Sequence, residues 1–214
     1  MVMFDQETLD YLVALTPKRS KLVEEMEADA KEHDVPIMDL VGMESLLQLL
    51  QLRAPKRILE IGTAIGYSAI RMAEVLPDTE IVTIERDPER AEKAKFYIEQ
   101  AGLSNRIHLI EGDALNVVEI LEKMPLFHVL FIDAAKGQYQ RFFDLYTPLI
   151  APGGIVFSDN VLFRGLVAKQ DVESKRLSKL AGKINTYNQY LMEHPNFHTR
   201  ILPIGDGLAV SFKK

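Results

Sequence analysis

Between residues 57 and 160, short apolar segments alternate with longer, more polar ones, and this alternation constrains the fold more than any other feature. The apolar segments are RILEI from Arg57, EIVTIE from Glu80, RIHLI from Arg106, HVLFID from His128 and IVFS from Ile155. Their short length and continuous apolarity are typical of parallel strands that are buried on both faces. We therefore predict an α/β fold with a doubly wound, mostly parallel sheet covered by helices.

The remaining segments complete the predicted architecture. Residues 1–50 contain apolar stripes at helical spacing and form a predicted helical N-terminal extension. Residues 57–214 form the predicted Rossmann-like core, with helices at about 115–123, Tyr139–Leu149 and 172–193. A further helix is predicted with Asp87 as N-cap and Pro88 in its first turn, ending near Gly102. The Tyr139–Leu149 helix is predicted to lead through Pro152-Gly153-Gly154 to the strand at Ile155–Ser158. Two closing segments, Thr199–Ile204 and Leu208–Phe212, predict a hairpin that brings the sheet to seven strands. Because no repeat or linker interrupts the chain, we expect a single domain over residues 1–214.

Composition excludes several classes of protein. The chain has 214 residues and no cysteine, which excludes disulfides and thiolate metal sites. No apolar run approaches the roughly 18 residues that a membrane span needs. The first residues also lack the basic and apolar regions of a secretory signal. We expect a soluble cytoplasmic protein without a membrane partner.

The charge of the chain is acidic overall but locally basic. The net charge is −6 and the pI is near 5.4, which argues against broad nonspecific binding to nucleic acids. Basic residues nevertheless form two clusters, one early, at Lys18, Arg19 and Lys21, and one late, at Lys169, Lys175, Arg176, Lys179 and Lys183. They form either a binding surface or an ordinary solvated helix face.

The first predicted strand leads into a glycine loop with a nearby set of acids. Gly62 and Gly66 have Gly-x-x-x-Gly spacing, which differs from the Gly-x-Gly-x-x-Gly pattern that holds a dinucleotide pyrophosphate. Glu85 ends the next strand, where a carboxylate can bind ribose hydroxyls, and Gly112-Asp113-Ala114 follows the third strand. A ribose-binding acid without the pyrophosphate pattern favours a nucleoside ligand such as S-adenosylmethionine, with Glu60 near its cationic end. A structural corner, with Glu85 capping the next helix, is the alternative.

Two further strands end in oxygen-bearing side chains, namely Asp133 in FIDAAK and Asp159-Asn160 in IVFSDN. An aspartate at the end of a buried strand is costly unless it is paired or bound to a cation. If the two strands are neighbours, these three side chains converge into an all-oxygen site of the kind that magnesium prefers, and manganese or calcium can substitute. The alternative is that they cap turns at the strand ends.

Lys136 follows Asp133 by three residues and is the candidate general base. A nearby divalent cation disfavours a charged ammonium group, so the amine becomes able to accept a proton. An exposed lysine at a helix start is the alternative. Asp206, between two glycines, is interpreted as a turn residue.

Several of these motifs together resemble the cation-dependent O-methyltransferases of the catechol and caffeoyl-CoA type. The matching stretches are LEIGTAIGYSAIRMA, IVTIERDPERAEKA, FIDAAKGQY, GGIVFSDNVLFRG and PIGDGLAVS. The resemblance implies a class I S-adenosylmethionine-dependent methyltransferase fold and a homodimer. It also implies magnesium at Asp133, Asp159 and Asn160, with Lys136 as base. The implied cofactor contacts are Met38, Glu60, Gly62, Ala64, Tyr67, Ser68, Glu85, Arg86, Gly112, Asp113, Ala114 and Asp133.

More narrowly, the chain is similar to the bacterial tRNA 5-hydroxyuridine methyltransferases. The stretches HDVPIMDLVGMESLLQLL, DAAKGQYQRFF and DNVLFRGLVA carry this similarity. It implies methylation of the 5-hydroxyl of wobble 5-hydroxyuridine, whose 4-carbonyl supplies a second adjacent oxygen. The tRNA anticodon loop is then the partner, with phosphate contacts expected at Arg164, Lys169, Lys175 and Arg176.

Other functions remain open at this stage. Methylation of a small catechol or phenol needs the same site, although catechol enzymes place a glutamate where this chain has Ala209. A basic surface at the mouth of the site favours tRNA, whereas a closed apolar mouth favours a small phenol. A non-catalytic nucleotide-binding module and an NAD-dependent dehydrogenase are less compatible with Lys136 and with the glycine spacing, respectively.

Overall fold

The computed structural model describes residues 5–169, 171–172 and 174–214, so the first four residues of the predicted N-terminal extension lie outside the described part. Its centre is a seven-stranded sheet. The strands are β1 (Arg57–Ile61), β2 (Glu80–Glu85), β3 (Ile107–Glu111), β4 (Phe127–Ile132), β5 (Ile150–Ser158), β6 (Phe197–Leu202) and β7 (Leu208–Lys213). Their order is β3-β2-β1-β4-β5-β7-β6. Neighbours among β1–β5 run parallel, while β7 is antiparallel to both β5 and β6. The predicted fold class is confirmed.

Helices cover both faces of this sheet. They are α1 (Gln6–Leu15), α2 (Lys21–Glu32), α3 (Leu40–Arg53), α4 (Tyr67–Val75), α5 (Pro88–Gln100), α6 (Val118–Leu121), α7 (Tyr139–Tyr146) and α8 (Lys175–Glu193). Successive strand residues point to opposite faces. Accordingly, Ile58 of β1 packs in one core with α2 to α5, whereas Leu59 packs in a second core with α7 and α8. No helix in the described ranges is long and apolar enough to cross a membrane.

Local sequence signals explain several helix ends. Asp87 accepts hydrogen bonds from the backbone N–H groups of Glu89 and Arg90 at 3.0 and 3.1 Å, and Pro88 occupies the first turn of α5. This is the N-cap arrangement that the sequence predicts. Gly102 follows the end of the same helix with a φ of +68°, a conformation that costs glycine little. Both predictions about α5 are confirmed.

Other predicted boundaries were wrong. The helix expected at 115–123 is the single turn Val118–Leu121, and the helix expected to reach Leu149 ends at Tyr146. Pro148 follows within a short 3-10 turn, because proline supplies no backbone donor to continue an α-helix. The helix expected from residue 172 begins at Lys175, where the Ser174 side chain caps it.

The largest boundary error concerns β5, which begins at Ile150 and not at Ile155. The Pro152-Gly153-Gly154 run was predicted to connect the preceding helix to the strand, yet it lies inside the strand. A Cβ on Gly154 would come within 2.9 Å of the His128 carbonyl of β4. Glycine therefore permits a close approach between neighbouring backbones, with a register irregularity between β4 and β5 at this point.

A buried charge network joins the N-terminal helices to α4. The Arg71 guanidinium donates hydrogen bonds to Glu44 of α3 at 2.5 Å and to the Tyr67 hydroxyl at 3.1 Å. The Tyr67 hydroxyl in turn donates to Glu27 of α2 at 2.9 Å, and Glu27 pairs with Arg19. Arg71 is only 5% exposed, so its charge depends on these partners.

Replacing Arg71 by alanine is expected to destabilise the fold by about 1.5–3 kcal/mol, because it removes a buried guanidinium that donates hydrogen bonds to the half-buried Glu44 carboxylate and to Tyr67. Urea unfolding followed by circular dichroism measures this free energy. Lys56, whose contact with Asp78 is exposed, provides the control, and its replacement by alanine should change stability little. Equal effects of the two substitutions would contradict the proposed importance of the buried network.

Candidate functional site

A cleft of about 1000 Å³ opens at the carboxyl ends of β1 to β5. Ligands of open α/β sheets bind in this position because the strand order reverses there and the connections on either side diverge. Here the reversal lies between β1 and β4. The cleft therefore occupies the site that the fold topology favours for binding.

Most of the predicted site residues line this cleft. They are Met38, Gly62, Ala64, Tyr67, Ser68, Glu85, Arg86, Gly112, Asp113, Ala114, Asp133, Lys136, Asp159, Asn160 and Arg164. Four predicted residues are not part of its wall: Glu60, Lys169, Lys175 and Arg176. The first lies buried behind the wall, and the other three are exposed outside the cleft.

The glycine loop packs directly against the end of β4. Gly62 has a φ of +102°, and a Cβ at this position would overlap the backbone carbonyl of Asp133. The backbone N–H groups of Gly62 and Thr63 both donate to the Ile84 carbonyl at 3.0 and 3.2 Å. The loop is thereby held between two strands, and only glycine combines this backbone conformation with the close contact.

Replacing Gly62 by alanine is expected to weaken both folding and cofactor binding, because the loop or the end of β4 must move. Gly102 is a matched control, since it also has a positive φ but no atom lies within 4 Å of an added Cβ. Gly102→Ala should cost only the left-handed backbone strain of about 1–2 kcal/mol. Urea unfolding and calorimetric titration with S-adenosylhomocysteine measure the two effects. Equal results for both variants would exclude the overlap with Asp133 as the cause.

Glu85 connects the glycine loop to the end of β2. One of its carboxylate oxygens accepts the Ala64 N–H at 2.8 Å, and the other accepts the N–H groups of Arg86 and Asp87 at 2.9 Å. The side chain is 8% exposed and faces the cleft. The N-cap of α5 is Asp87 rather than Glu85, so the alternative of a helix-capping Glu85 is wrong.

Glu60 lies behind the cleft wall in a hydrogen-bonded chain. Its carboxylate accepts hydrogen bonds from Ser68 and, at 2.5 Å, from Thr83. Burial raises the pKa of Glu60 to about 7, and the two hydroxyl donors oppose that rise. Because Ser68 lines the cleft and Glu60 does not, the structure gives Glu60 a supporting position. Its direct contact with a cofactor stays a prediction.

The raised pKa of Glu60 has a testable consequence for stability. An unperturbed glutamate titrates near 4.5, so between about pH 4.5 and 7 the folded chain binds a proton that the unfolded chain has released. Stability falls as pH rises wherever the folded state binds more protons. We therefore expect the metal-free protein to lose stability across this interval and Glu60→Gln to lose less. Urea midpoints measured at several pH values test this, and parallel curves for the two proteins would contradict it.

Asp133, Asp159 and Asn160 converge at the ends of the neighbouring parallel strands β4 and β5. The Asn160 amide donates a hydrogen bond to the Asp159 carboxylate and accepts one, through its carbonyl oxygen, from Lys136. Burial raises the pKa of both aspartates, and the charge of Asp133 raises the pKa of Asp159 further. β4 and β5 are thus neighbours, which is the condition that the predicted site requires, and cation binding there stays a prediction.

This group has the features of a cation site. Asp159 is 2% exposed, and its carboxylate repels that of Asp133. A bound divalent cation would relieve the repulsion and satisfy the buried oxygens. Two carboxylates and one amide oxygen, open to the cleft, match the preference of magnesium for oxygen ligands with room for water. The donor set therefore fits the predicted metal.

Lys136 begins a short 3-10 turn, Lys136–Gln138, directly after Asp133-Ala134-Ala135. Its half-buried amine lies at the cleft wall and donates a hydrogen bond to Asn160 Oδ1. Lys136 is therefore beside the acidic group and not on a solvated helix start. Asp133, Asp159 and Asn160 are called the oxygen cluster below. An amine in this position can exchange a proton with a molecule held at the oxygen cluster.

The structure adds cleft residues that the sequence analysis missed. Asp39 caps α3 through the Gly42 N–H at 2.9 Å, and its carboxylate packs against Gly205 of the terminal loop. Leu9 and Leu12 of α1 also line the cleft. The N-cap pattern before α3 signalled a helix start but not the position of Asp39, because its neighbours come from distant parts of the chain.

Asp206 also lines the cleft, and its carboxylate accepts the backbone N–H of Arg164. The interpretation of Asp206 as a turn residue is thus incomplete, since it joins the terminal loop to the segment after β5. Arg164 has a φ of +54°, and this contact helps hold it at the mouth.

Comparison with known proteins agrees with this geometry. A family model described as O-methyltransferase matches residues 12–214. The chain belongs to the O-methyltransferase family. A caffeoyl-CoA O-methyltransferase from Populus kitakamiensis is 33% identical over 171 residues, covering 77% of this chain and 73% of the relative. A catechol O-methyltransferase from Niastella koreensis is 39% identical over 129 residues, or 58% of each chain.

Solved structures support the same family membership. A Staphylococcus aureus protein, described as a candidate caffeoyl-CoA O-methyltransferase, has a TM-score of 0.92 and 36% identity, covering 98% of this chain and 100% of that one. The O-methyltransferase TomG from Streptomyces achromogenes, solved with S-adenosylmethionine, has a TM-score of 0.84 and 27% identity over 99% of both chains. Membership of the O-methyltransferase family excludes the dehydrogenase alternative.

Proposed function

We propose that this O-methyltransferase transfers the methyl group of S-adenosylmethionine to a hydroxyl that has a second oxygen beside it, with a divalent cation at Asp133, Asp159 and Asn160. The observation that carries the proposal is the presence of the glycine loop, the oxygen cluster and Lys136 in one cleft. A methyl donor at the glycine loop and an acceptor beside Asp133, Asp159 and Asn160 can therefore meet in the same cleft. The S-adenosylmethionine complex of TomG supports the choice of donor.

The residues divide the work by position. Gly62 and Ala64 of the loop after β1 and Ser68 of α4 contact the donor, and the Glu85 carboxylate binds its ribose hydroxyls. Bound magnesium would supply positive charge that favours the ionised form of the acceptor hydroxyl. Lys136 accepts the hydroxyl proton at Nζ as the oxygen attacks the methyl carbon. The carbon–sulfur bond breaks, and S-adenosylhomocysteine leaves with the sulfur electron pair.

For the acceptor we propose 5-hydroxyuridine at the tRNA wobble position, giving 5-methoxyuridine. Its 5-hydroxyl and 4-carbonyl are adjacent oxygens, as the cluster requires. Arg164 lies at the mouth, where a phosphate backbone would pass. Ala209 is completely buried opposite Ser158, so this chain has no polar side chain where catechol enzymes carry a glutamate.

A small catechol or phenol is the second candidate acceptor. The named activities of the Populus and Niastella relatives favour it, since both concern small molecules. Leu9, Leu12 and Phe142 give the cleft an apolar side suited to an aromatic ring. The proposed mechanism is the same for both acceptors.

Methyl transfer from labelled S-adenosylmethionine distinguishes the two acceptors. The assay uses tRNA from a strain that lacks this gene, a catechol in a parallel reaction, and either magnesium or EDTA. Magnesium-dependent label that digests to 5-methoxyuridine is the expected result. Label in the catechol alone would refute the tRNA acceptor and keep the mechanism. Undiminished label in EDTA would refute the metal site.

A further inference from the structure

One face of α8 is basic from its first turn to its middle. Lys175, Arg176, Lys179 and Lys183 are all exposed. At 100° per residue they fall within an arc of about 100°, whereas the buried Ala181, Ile184 and Leu191 lie on the opposite side. These four residues are called the basic face below. The helix could bury its apolar side with any exposed residues on this face, so folding does not explain the concentration of positive charge.

The basic face leads to the cleft. Lys183 Nζ lies 3.7 Å from the position of an added Cβ on Gly137, next to Lys136. From Lys175 to Lys183 the helix extends about 12 Å away from that point. The helix also contacts the 3-10 turn Leu166–Ala168, which follows Arg164. A continuous path thus runs from the exposed start of α8 to the turn that holds the candidate base.

These charges are available to an external partner. Among the residues that the structure describes, no carboxylate forms a salt bridge with any member of the basic face. Elsewhere Lys93 and Lys95 are paired with Asp29 and Glu111. In a chain with a net charge of −6, these four exposed cations on one helix face concentrate positive charge locally.

We propose that the basic face holds the phosphate backbone of the RNA acceptor on the approach to the cleft, with Lys183 nearest the modified nucleotide. This inference rests on the proposed tRNA acceptor and adds the surface that binds it. Lysines at successive helical turns contact a backbone without reading its bases, so they position the strand and contribute affinity that depends on salt.

The test compares tRNA binding by the intact protein with binding by the triple variant Lys175→Gln, Lys179→Gln, Lys183→Gln, across a range of salt concentrations. The slope of log affinity against log salt concentration is negative, and each lost phosphate contact reduces its magnitude by roughly 0.7 for a single strand. For the three substitutions the magnitude should therefore decrease by about 2. The KM for tRNA should rise roughly tenfold or more. An affinity for S-adenosylhomocysteine equal to that of the intact protein shows that the triple variant is folded.

Lys123→Gln is the matched control. Lys123 is an exposed lysine before the amino end of β4, whereas the cleft lies at the carboxyl ends of the strands. This substitution should leave both the slope and the KM unchanged. An unchanged slope in the folded triple variant, or no binding of tRNA by the intact protein, would overturn the basic-face proposal. If the triple variant keeps its affinity for tRNA but loses affinity for coenzyme A, the proposal is also overturned, and the lysines are assigned to the binding of a thioester acceptor.

Binding and methyl-transfer measurements distinguish failure of the basic face from failure of the proposed tRNA acceptor. If the intact protein binds tRNA with a slope that depends on the basic face but transfers no methyl group to it, the surface is retained and the proposed acceptor fails. If methyl transfer to tRNA occurs with the same KM in the folded triple variant, the acceptor is retained and the surface fails.

Discussion

Alanine in place of Asp133 is expected to abolish methyl transfer and cation binding together. Asp133 is one of only two carboxylates in the oxygen cluster, and Asp159 alone would leave the cation one carboxylate and an amide. Loss of several kcal/mol of charge stabilisation corresponds to a decrease in rate of about 10³-fold or more. Labelled methyl transfer measures the rate, and calorimetric titration with manganese measures binding of the cation without reference to activity.

Glu111 provides the control for this prediction. It also ends a parallel strand, but it lies outside the cleft wall and pairs with Lys95 at the surface. Glu111→Gln should retain activity and manganese binding. Near-normal activity of Asp133→Ala would refute the metal assignment. The backbone contact between Asp133 and Gly62 does not involve the substituted side chain, so the glycine loop should keep its affinity for S-adenosylhomocysteine.

Methionine in place of Lys136 is expected to lower kcat by roughly 10²–10⁴-fold, the usual contribution of a positioned general base. Methionine keeps much of the aliphatic length but cannot accept the acceptor proton. Because the amine contacts only Asn160 in the cluster, binding of manganese and S-adenosylhomocysteine should persist. Presteady-state methyl transfer in saturating substrate isolates the chemical step.

The pH dependence separates a general base from a structural lysine. The pH profile of the rate should differ between the intact enzyme and Lys136→Met, because only the intact enzyme has a proton acceptor at this position. Lys123→Met, whose position lies before the amino end of β4 and away from the cleft, should behave as the intact enzyme. If Lys136→Met instead loses its affinity for S-adenosylhomocysteine, the residue supports the cofactor site and is not the base.

Much of the fold and of the candidate site could be predicted from the sequence, because both depend on local patterns. Continuous apolar segments identified the parallel strands, and the strand direction places a polar residue at the carboxyl end of such a strand on the side of the sheet where the cleft lies. Asp133, Asp159 and Glu85 were found in this way. The N-cap at Asp87 and the glycine after α5 are equally local, since each depends on a few neighbouring residues.

Other features required the packed chain. Gly154 lies within β5 because a neighbouring backbone passes close to it, and no local pattern distinguishes that glycine from a turn glycine. Asp39 contacts Gly205, which is far away in the sequence, so sequence spacing could not predict this contact. Glu60 lies one residue before the end of β1, and packing placed it behind Ser68 and raised its pKa.

The sequence by itself determined which residues end each strand, and hence which chemistry is available at the cleft. Only the tertiary structure decided which strands are neighbours, which acids repel each other and which lysines approach the base. The physical reason is the range of the interactions involved. Backbone conformation and side-chain alternation act over a few residues, whereas burial, electrostatic repulsion and close packing depend on atoms brought together from distant segments.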